Sequence, residues 1–147
     1  MRKREGFEGQ TLHVLPGPMR REMAHHVLLY QLAATDIGWY PHAQYHYCER
    51  PGGAPQLILI LCVDGGGWCD VGGQHVEVGT NQALIIPRET PHWYGADEAD
   101  PWSIHWVHLT GPAAEYFVRL LPDGEYVLSV APETVEVLAG LLRECYA

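Results

Sequence analysis

The sequence predicts a mainly β fold, a two-sheet sandwich or a barrel, followed by C-terminal helices. Short apolar or alternating runs recur between residues 25 and 109, and glycine or proline turns separate them, which is typical of antiparallel all-β domains. After Pro112 the apolar spacing changes to that of a helix. The chain has 147 residues, of which 47% are hydrophobic and 18% charged. We therefore expect one globular domain.

The first third of the chain is predicted to hold an arm, a strand and a turn. Residues 1–24 are expected to form an irregular arm, because glycine and proline interrupt any regular element there. Residues 25–33 are apolar enough for a first strand, and residues 35–41 contain turn formers. An aromatic and histidine-rich stretch then leads to Arg50 and to a loop at residues 51–55. The interruptions in the arm are Gly6, Gly9, Pro16, Gly17 and Pro18.

Six further strands are predicted at short intervals. Residues 57–63 are apolar at every position, so we expect them to be buried on both faces of a sheet. Gly72 and Gly73 form a two-residue hairpin signal between the two strands that follow. The remaining predicted strands cover residues 68–71, 74–78, 83–86, 92–94 and 102–109.

Two helices are predicted at the end of the chain, at residues 112–121 and 132–146. Apolar residues recur at helical spacing in the second: Val135, Leu138, Leu141 and Leu142. Because an exposed leucine stripe needs a partner, we expect a homodimer with Leu138, Leu141 and Leu142 at its seam. The chain stops inside this helix without a cap, so we expect the helical dimerisation segment, residues 112–147, to be truncated.

The charge distribution argues against DNA binding by this chain itself. The net charge is −9, and five of the nine basic residues lie within the first 21 positions. From residue 22 onward, four arginines oppose sixteen acidic residues, whereas a DNA-binding surface needs clustered Lys and Arg. No apolar run approaches the length of a membrane helix, and no apolar stretch follows the basic N-terminus as in a signal peptide. We therefore expect a cytoplasmic protein without a membrane partner, whose four scattered cysteines stay reduced.

Two sets of short motifs carry a resemblance to known proteins. The glycine and proline spacing resembles the double hairpin of a cupin barrel: Gly65, Gly67, Gly72-Gly73, Gly79, Pro87 and Pro91-His92. The longer text resembles the N-terminal domain of AraC-type transcription regulators, from about Leu28 to Gly111: Glu49-Arg50-Pro51, residues 57–67, Ile85-Ile86-Pro87, Thr90-Pro91-His92, Tyr94 and residues 100–108.

This resemblance implies a cupin-like double-stranded β-barrel, or jelly roll, at residues 25–111. In that family the barrel binds a small effector, often a sugar, and the helices that follow mediate dimerisation. A separate C-terminal domain, absent from this chain, binds DNA. We therefore expect the ligand-sensing and dimerisation part of a regulator, with a saccharide as the predicted effector. Two alternatives stay open: a stand-alone cupin enzyme of the isomerase or dioxygenase type, and a purely structural dimerisation domain.

The histidines do not match the metal-binding pattern of cupins. The carboxylate position of that pattern falls on Ile58, and the paired histidines would fall within residues 51–54, which contain none. Only His92 has a counterpart, and one imidazole does not hold a divalent ion. His42 with His46 and His105 with His108 are interpreted as pocket edges or surface positions. No motif for a nucleophile or a phosphate loop occurs either, so we expect no metal, no cofactor and no enzyme activity.

The predicted ligand-binding set combines strand alternation with the resemblance. Alternation places Trp102, Ile104, Trp106 and His108 on one face of the last long strand. The resemblance implies that Trp106 stacks on the ligand and that Arg50, Thr35 and Tyr94 bind its polar groups, and we add His92 from the same turn as Tyr94. Arg2, Lys3 and Arg4 are interpreted as part of a solvated tail, although this arm covers the ligand in some relatives.

Overall fold

The computed structural model describes residues 1–146 and contains ten strands and three α-helices. A 3-10 turn at Pro112–Ala114 precedes the second helix. The elements are β1 (Thr11–Val14), α1 (Gly17–His25), β2 (Ala33–Tyr40), β3 (Tyr47–Arg50), β4 (Leu57–Asp64), β5 (Gly67–Val71), β6 (Gln74–Val78), β7 (Gln82–Ile86), β8 (His92–Ala96), β9 (Ser103–Thr110), α2 (Glu115–Val118), β10 (Val127–Ser129) and α3 (Pro132–Tyr146).

Eight central strands form a jelly roll of two antiparallel sheets. One sheet has the order β2-β9-β4-β7, extended by β1 at one edge and β10 at the other, and the second has the order β3-β8-β5-β6. This alternation of strands between two facing sheets is the jelly-roll arrangement, so the predicted fold class is confirmed. No strand pairing joins the two sheets within residues 1–146, which makes the barrel an open sandwich.

Strand β4 lies in the middle of the larger sheet, between β9 and β7, and its two faces are both apolar. Ile58, Ile60 and Cys62 belong to the core between the sheets. Leu57 and Leu61 are buried on the opposite face, where α2 and α3 contribute to the packing. The prediction that residues 57–63 are buried on both faces is confirmed for five of the seven residues, because α-helices replace solvent on the outer side. Leu59 and Val63 on that outer side are half-buried.

The prediction for residues 25–41 is wrong. Residues 26–32 form a turn instead of a strand, and residues 33–40 form β2 instead of a turn. The apolar run that suggested the strand is exposed, with 78% of Val27 and 70% of Leu28 accessible to solvent. Strand β2 is paired on both sides, with β1 and with β9. These hydrogen bonds between strands override the turn propensity of Thr35, Asp36 and Gly38.

The arm is more regular than the sequence predicted. Residues 11–14 pair with β2 as β1, and α1 begins at Gly17. Pro16 and Pro18 do not interrupt α1. N–H groups in the first turn of a helix have no acceptor within the helix, so their absence in proline costs no hydrogen bond. The division of the chain at residues 24 and 111 stays a prediction.

The C-terminal part contains one confirmed and one corrected helix. Helix α3 covers the predicted residues 132–146. The helix predicted at 112–121 is only the 3-10 turn followed by the single turn of α2, and β10 was not predicted. No helix among the described residues is long and apolar enough to cross a membrane.

Candidate functional site

A cavity of about 280 Å³ lies between the two sheets, and β1 and the N-terminal arm form part of its wall. Both sheets contribute polar and aromatic side chains, which is the composition of a small-molecule site. The lining residues are Arg4, Glu5, Leu12, Val14, Asp36, Tyr40, His46, Arg50, Tyr94, Trp106 and His108.

A bulge in β2 determines which of its residues reach this cavity. Ala34 pairs with Leu109 and Asp36 with His108, which leaves Thr35 as the extra residue between them. After the bulge, Asp36 and Tyr40 line the cavity, and Gly38 lies against the Trp106 indole. The bulge therefore places an acidic and an aromatic side chain on the inner face of the larger sheet, beside Trp106 and His108.

Arg50 enters the cavity from the end of β3 and is held by two residues of β8. Its Nη1 lies 3.1 Å from His92 Nε2 and donates to the Tyr94 hydroxyl over 3.4 Å. His92 Nδ1 lies 2.8 Å from the Thr90 carbonyl oxygen, which can only accept, so we assign the imidazole proton to Nδ1 and leave Nε2 to accept from Arg50. Burial, with a smaller contribution from the Arg50 charge, lowers the pKa of His92. The imidazole is therefore neutral and fixes the guanidinium.

Trp106 forms part of the aromatic wall of the cavity. It is only 9% exposed, and it packs edge-to-face on Tyr40 with 5.5 Å between the ring centroids. Its indole N–H is buried without a hydrogen-bond partner in the described part of the chain. The indole is thus a core residue with one side at the cavity, and a ligand can contact only that side.

His46 is buried at the cavity wall as a neutral ring. Trp102 Nε1 donates to His46 Nδ1 over 3.0 Å. Burial, together with the Arg50 and Arg4 charges, lowers the pKa of His46 to about 3. Because Nδ1 accepts, the proton of the neutral ring resides on Nε2, which has no hydrogen-bond partner among residues 1–146. His46 can therefore donate one hydrogen bond to a bound molecule.

Asp36 is neutralised by a basic residue of α1. Arg20 Nη2 lies 3.1 Å from Asp36 Oδ1, and His108 Nδ1 lies 3.8 Å from the same oxygen. Burial lowers the pKa of His108 in spite of the opposing Asp36 charge, so His108 is neutral at pH 7. The Asp36 side of the cavity is accordingly a balanced ion pair beside a neutral imidazole.

The N-terminal arm is part of the cavity wall, which corrects the interpretation of the basic arm residues as a solvated tail. Lys3 forms a parallel bridge with His46, and its N–H donates to the Tyr45 carbonyl over 2.8 Å. Phe7 is 5% exposed and packs on Tyr40. These contacts hold Arg4 at the cavity.

The structure brings together most of the predicted ligand-binding residues. Arg50, Tyr94 and Trp106 line the same cavity, and His92 lies behind Arg50 as its hydrogen-bond partner. Thr35 is not brought to this cavity. It is buried at a separate cavity of about 250 Å³, which Arg20 also lines.

Sequence reasoning missed Asp36, Tyr40 and the contribution of Arg20. Residues 36, 38 and 40 alternate with period two, and this signal was available once the segment is taken as a strand instead of a turn. Arg20 carried no such signal, because α1 was interpreted as irregular. His46 and His108 were singled out only as pocket edges or surface positions, and both line the cavity.

No group of three or more His, Cys, Asp or Glu side chains within residues 1–146 is arranged to hold a metal ion. Ile58, at the carboxylate position of the cupin pattern, is 1% exposed in the apolar core. His92 is occupied by Arg50 and Thr90. The residues present therefore do not fit the metal site of cupins.

Comparison with known proteins identifies the family of this domain. Residues 37–146 match the family model described as the AraC-like ligand binding domain. Over 106 residues the chain is 32% identical to the MmsAB operon regulatory protein of Pseudomonas aeruginosa, an alignment that covers 69% of this chain and 34% of that protein. The chain thus spans about one third of the length of this relative.

Similar solved structures include two cupins. The cupin domain of Cnp3 from Schizosaccharomyces pombe is 13% identical, with a TM-score of 0.47 over 80% of this chain and 75% of that one. A cupin superfamily protein from Desulfitobacterium hafniense is 10% identical, with a TM-score of 0.45 over 74% of this chain and 84% of that one.

Proposed function

The chain belongs to the family of AraC-like ligand-binding domains, and on that premise we propose that it binds a small polar effector in the cavity between its sheets. The observation that carries the proposal is the composition of the cavity. One wall is aromatic, and Arg50 and His46 present hydrogen-bond donors to the same space. Such a site orients a ligand through a few polar groups and excludes water from the rest.

The ligand class predicted from the sequence is a saccharide, and it stays a prediction. Two features support it: the accessible side of Trp106 offers an apolar surface to sugar C–H groups, and Arg50 supplies paired N–H donors for hydroxyl groups. We propose that the bound molecule acts as a signal and is released without chemical change. Among residues 1–146, no group of three or more His, Cys, Asp or Glu side chains is arranged to hold a metal ion for a reaction there.

We also propose that the chain dimerises through the outer face of α3. Val137, Leu138 and Leu141 are 62%, 39% and 61% exposed on this helix, and a twin chain is the commonest partner for such a stripe. Leu142, which the sequence assigned to the same seam, packs instead on the cluster of Leu61, Ala83 and Val135. The proposed seam therefore consists of Val137, Leu138 and Leu141.

DNA binding is proposed to belong to a part of the regulator outside this chain. The net charge of −9 opposes the approach of a polyanion. Two of the basic side chains are engaged within the fold: Arg20 pairs with Asp36, and Arg50 is held by His92.

The test is to fill the cavity from its edge without disturbing the core. Val14 lines the cavity from β1 and is 53% exposed, so Val14→Trp adds an indole there. The purified chain is screened by thermal unfolding against a library of saccharides, organic acids, alcohols and amines. A ligand at about 100 times its Kd stabilises the native state by about 2.7 kcal/mol, which raises the Tm by several degrees.

We expect the stabilising ligand to lose its effect on Val14→Trp and to keep it on Val27→Trp. Val27 is 78% exposed and lies in the turn after α1, away from the cavity, so this variant is the matched control. A ligand that stabilises both variants equally would place the binding site elsewhere and contradict the proposal.

A further inference from the structure

Arg50 is a partly buried guanidinium without an acidic partner. Its hydrogen bonds within the fold go to the neutral groups His92 Nε2 and Tyr94 Oη. No carboxylate of residues 1–146 lies within ion-pair distance of Arg50. A charge taken from water without a counter-charge is costly, so the free site holds an unsatisfied positive charge beside the cavity.

The acidic side chains of the cavity do not remove this charge. Asp36 is paired with Arg20 at 3.1 Å. Glu5 lies on the exposed arm next to Arg4, where solvent screens it. After burial itself, the positive charges of Arg50 and Arg4 lower the pKa of His46, whereas at His108 the opposing Asp36 charge is larger than either. The His46 side of the cavity is therefore electropositive, and Arg50 is its partly buried source.

The remaining donors lie at the same side of the cavity. His46 carries its proton on Nε2 and lines the cavity with Arg50 and Tyr94. His46 and Tyr94 are adjacent, with 5.6 Å between their ring centroids. A planar group with two acceptor oxygens matches the Arg50 fork and can accept from His46 as well.

The size and walls of the cavity limit the rest of the ligand. A volume of about 280 Å³ has room for about nine waters at ~30 Å³ each, so the ligand has on the order of ten non-hydrogen atoms. Tyr40, Trp106 and Leu12 form an apolar wall for its carbon skeleton. A dianion such as phosphate fits poorly, because Arg50 supplies one partly buried positive charge, whereas the other lining arginine, Arg4, lies on the exposed arm.

We propose that the effector is a small organic acid whose single carboxylate binds Arg50 and His46 while its carbon skeleton packs on Tyr40 and Trp106. This inference rests on the proposed function and narrows its ligand class. A sugar acid belongs to this class, whereas a neutral sugar does not. The carboxylate supplies the counter-charge that the fold itself leaves out.

The test uses pairs of probes that differ in the carboxylate alone. They are butyrate with butyramide, benzoate with benzamide, and D-glucuronate with D-glucose, and inorganic phosphate is the dianion control. Binding to the chain is measured by calorimetry and by the shift in Tm, at equal ionic strength in every arm. We expect at least one acid to bind about tenfold or more tightly than its neutral partner, and phosphate to bind more weakly than that acid.

Two arginine variants assign the preference to Arg50. Arg50→Met should abolish the difference between acid and neutral partner. Arg88→Met, at a position whose Nε donates to the Pro55 carbonyl outside the cavity, should retain it. If Arg50→Met does not fold, Arg50→Lys answers the same question, because a lysine keeps the charge and loses the paired hydrogen bonds. We expect Arg50→Lys to prefer the acid still, with weaker binding.

Each contrary outcome is distinguishable from failure of the proposed function. Equal binding of acid and neutral partner, or binding of D-glucose alone, would overturn the carboxylate and leave the effector site standing. Tighter binding of phosphate than of every acid would also overturn it. If no acid binds, the inference fails, and the library screen with Val14→Trp decides separately whether the cavity binds any effector.

Discussion

Gly38 shows how one residue without a side chain shapes the site. It pairs with Trp106 across β2 and β9, and a Cβ atom at this position would approach the indole to 2.3 Å. Its carbonyl oxygen accepts a hydrogen bond from Tyr146 Oη over 2.7 Å. The absence of a side chain at residue 38 therefore lets the indole lie flat on the sheet beneath the cavity, while the backbone of the same residue anchors α3.

At the residue scale we predict that Gly38→Ala destabilises the fold. The added methyl group must displace the Trp106 indole, and overpacking of this kind costs about 1–3 kcal/mol. Urea unfolding followed by tryptophan fluorescence measures the loss. Gly52→Ala is the control, since a Cβ there meets open space, and it should stay within about 0.5 kcal/mol of the wild type. Equal stability of the two variants would show that the indole is not constrained by residue 38.

Helix α3 is the element in which packing and surface separate most clearly. Val135 and Ala139 are buried against the larger sheet, and Leu142 packs on the same cluster. At the end of the helix, Tyr146 Oη bonds to His105 Nδ1 at 2.9 Å and to the Gly38 carbonyl. The opposite face carries Leu138 and Leu141, which are exposed. One leucine stripe in the sequence thus serves two different surfaces.

At the element scale we predict opposite effects for adjacent leucines. Leu141→Glu should give a folded monomer, because the charge is placed in the proposed dimer seam and not in the core. Leu142→Glu should lower the stability of the domain by roughly 1–3 kcal/mol, since a buried contact is replaced by a charge. Sedimentation velocity gives the oligomeric state, and urea unfolding gives the stability. A monomeric wild type, or a dimeric Leu141→Glu, would contradict the proposed seam.

At the scale of the whole molecule, buried histidines make the fold sensitive to acid. Burial lowers the pKa of His46 to about 3, and burial with the Arg143 charge lowers that of His105 to about 4. Burial also lowers the pKa of His108. In the unfolded chain these groups titrate near 6.5. Below that pH the unfolded state binds more protons than the native state. The free energy of unfolding is therefore highest above about pH 6.5 and falls as the pH decreases below it.

We therefore predict that urea unfolding becomes easier between about pH 7.5 and about pH 5, with His46 alone contributing about 2 kcal/mol to the loss. His46→Gln should lose less stability over this interval, because the glutamine oxygen can accept the Trp102 N–H and does not titrate. His25→Gln, at an exposed position, should behave like the wild type. Exposed His75 acts in the opposite direction, since hydrogen bonds to Asp70 and Glu77 raise its pKa, but solvent screens this contribution. An identical pH dependence of His46→Gln and wild type would show that His46 does not contribute to the loss of stability in acid.

Much of the jelly roll was predictable because its signals are local. Gly72 and Gly73 predict a hairpin independently of how the sheets are arranged. Both adopt positive φ in the turn between β5 and β6. The continuous apolar run of β4 and the helical spacing of apolar residues in α3 are likewise local patterns, because any buried strand or amphipathic helix shows them. Arg50, Tyr94 and Trp106 were singled out from the resemblance, and the structure places them around one cavity.

The sequence alone determined the fold class, the positions along the chain of β4 to β9, and an acidic composition with an arginine shortly before a buried strand. Only the tertiary structure decided that residues 33–40 are a strand, because its hydrogen bonds come from β1 and β9, far away in the chain. The bulge at Thr35 then selected Asp36 and Tyr40 for the cavity and left Thr35 outside it. That Arg50 lacks an acidic partner within the described chain while Asp36 has one depends on distances between four elements. Such distances leave no periodic trace in a sequence.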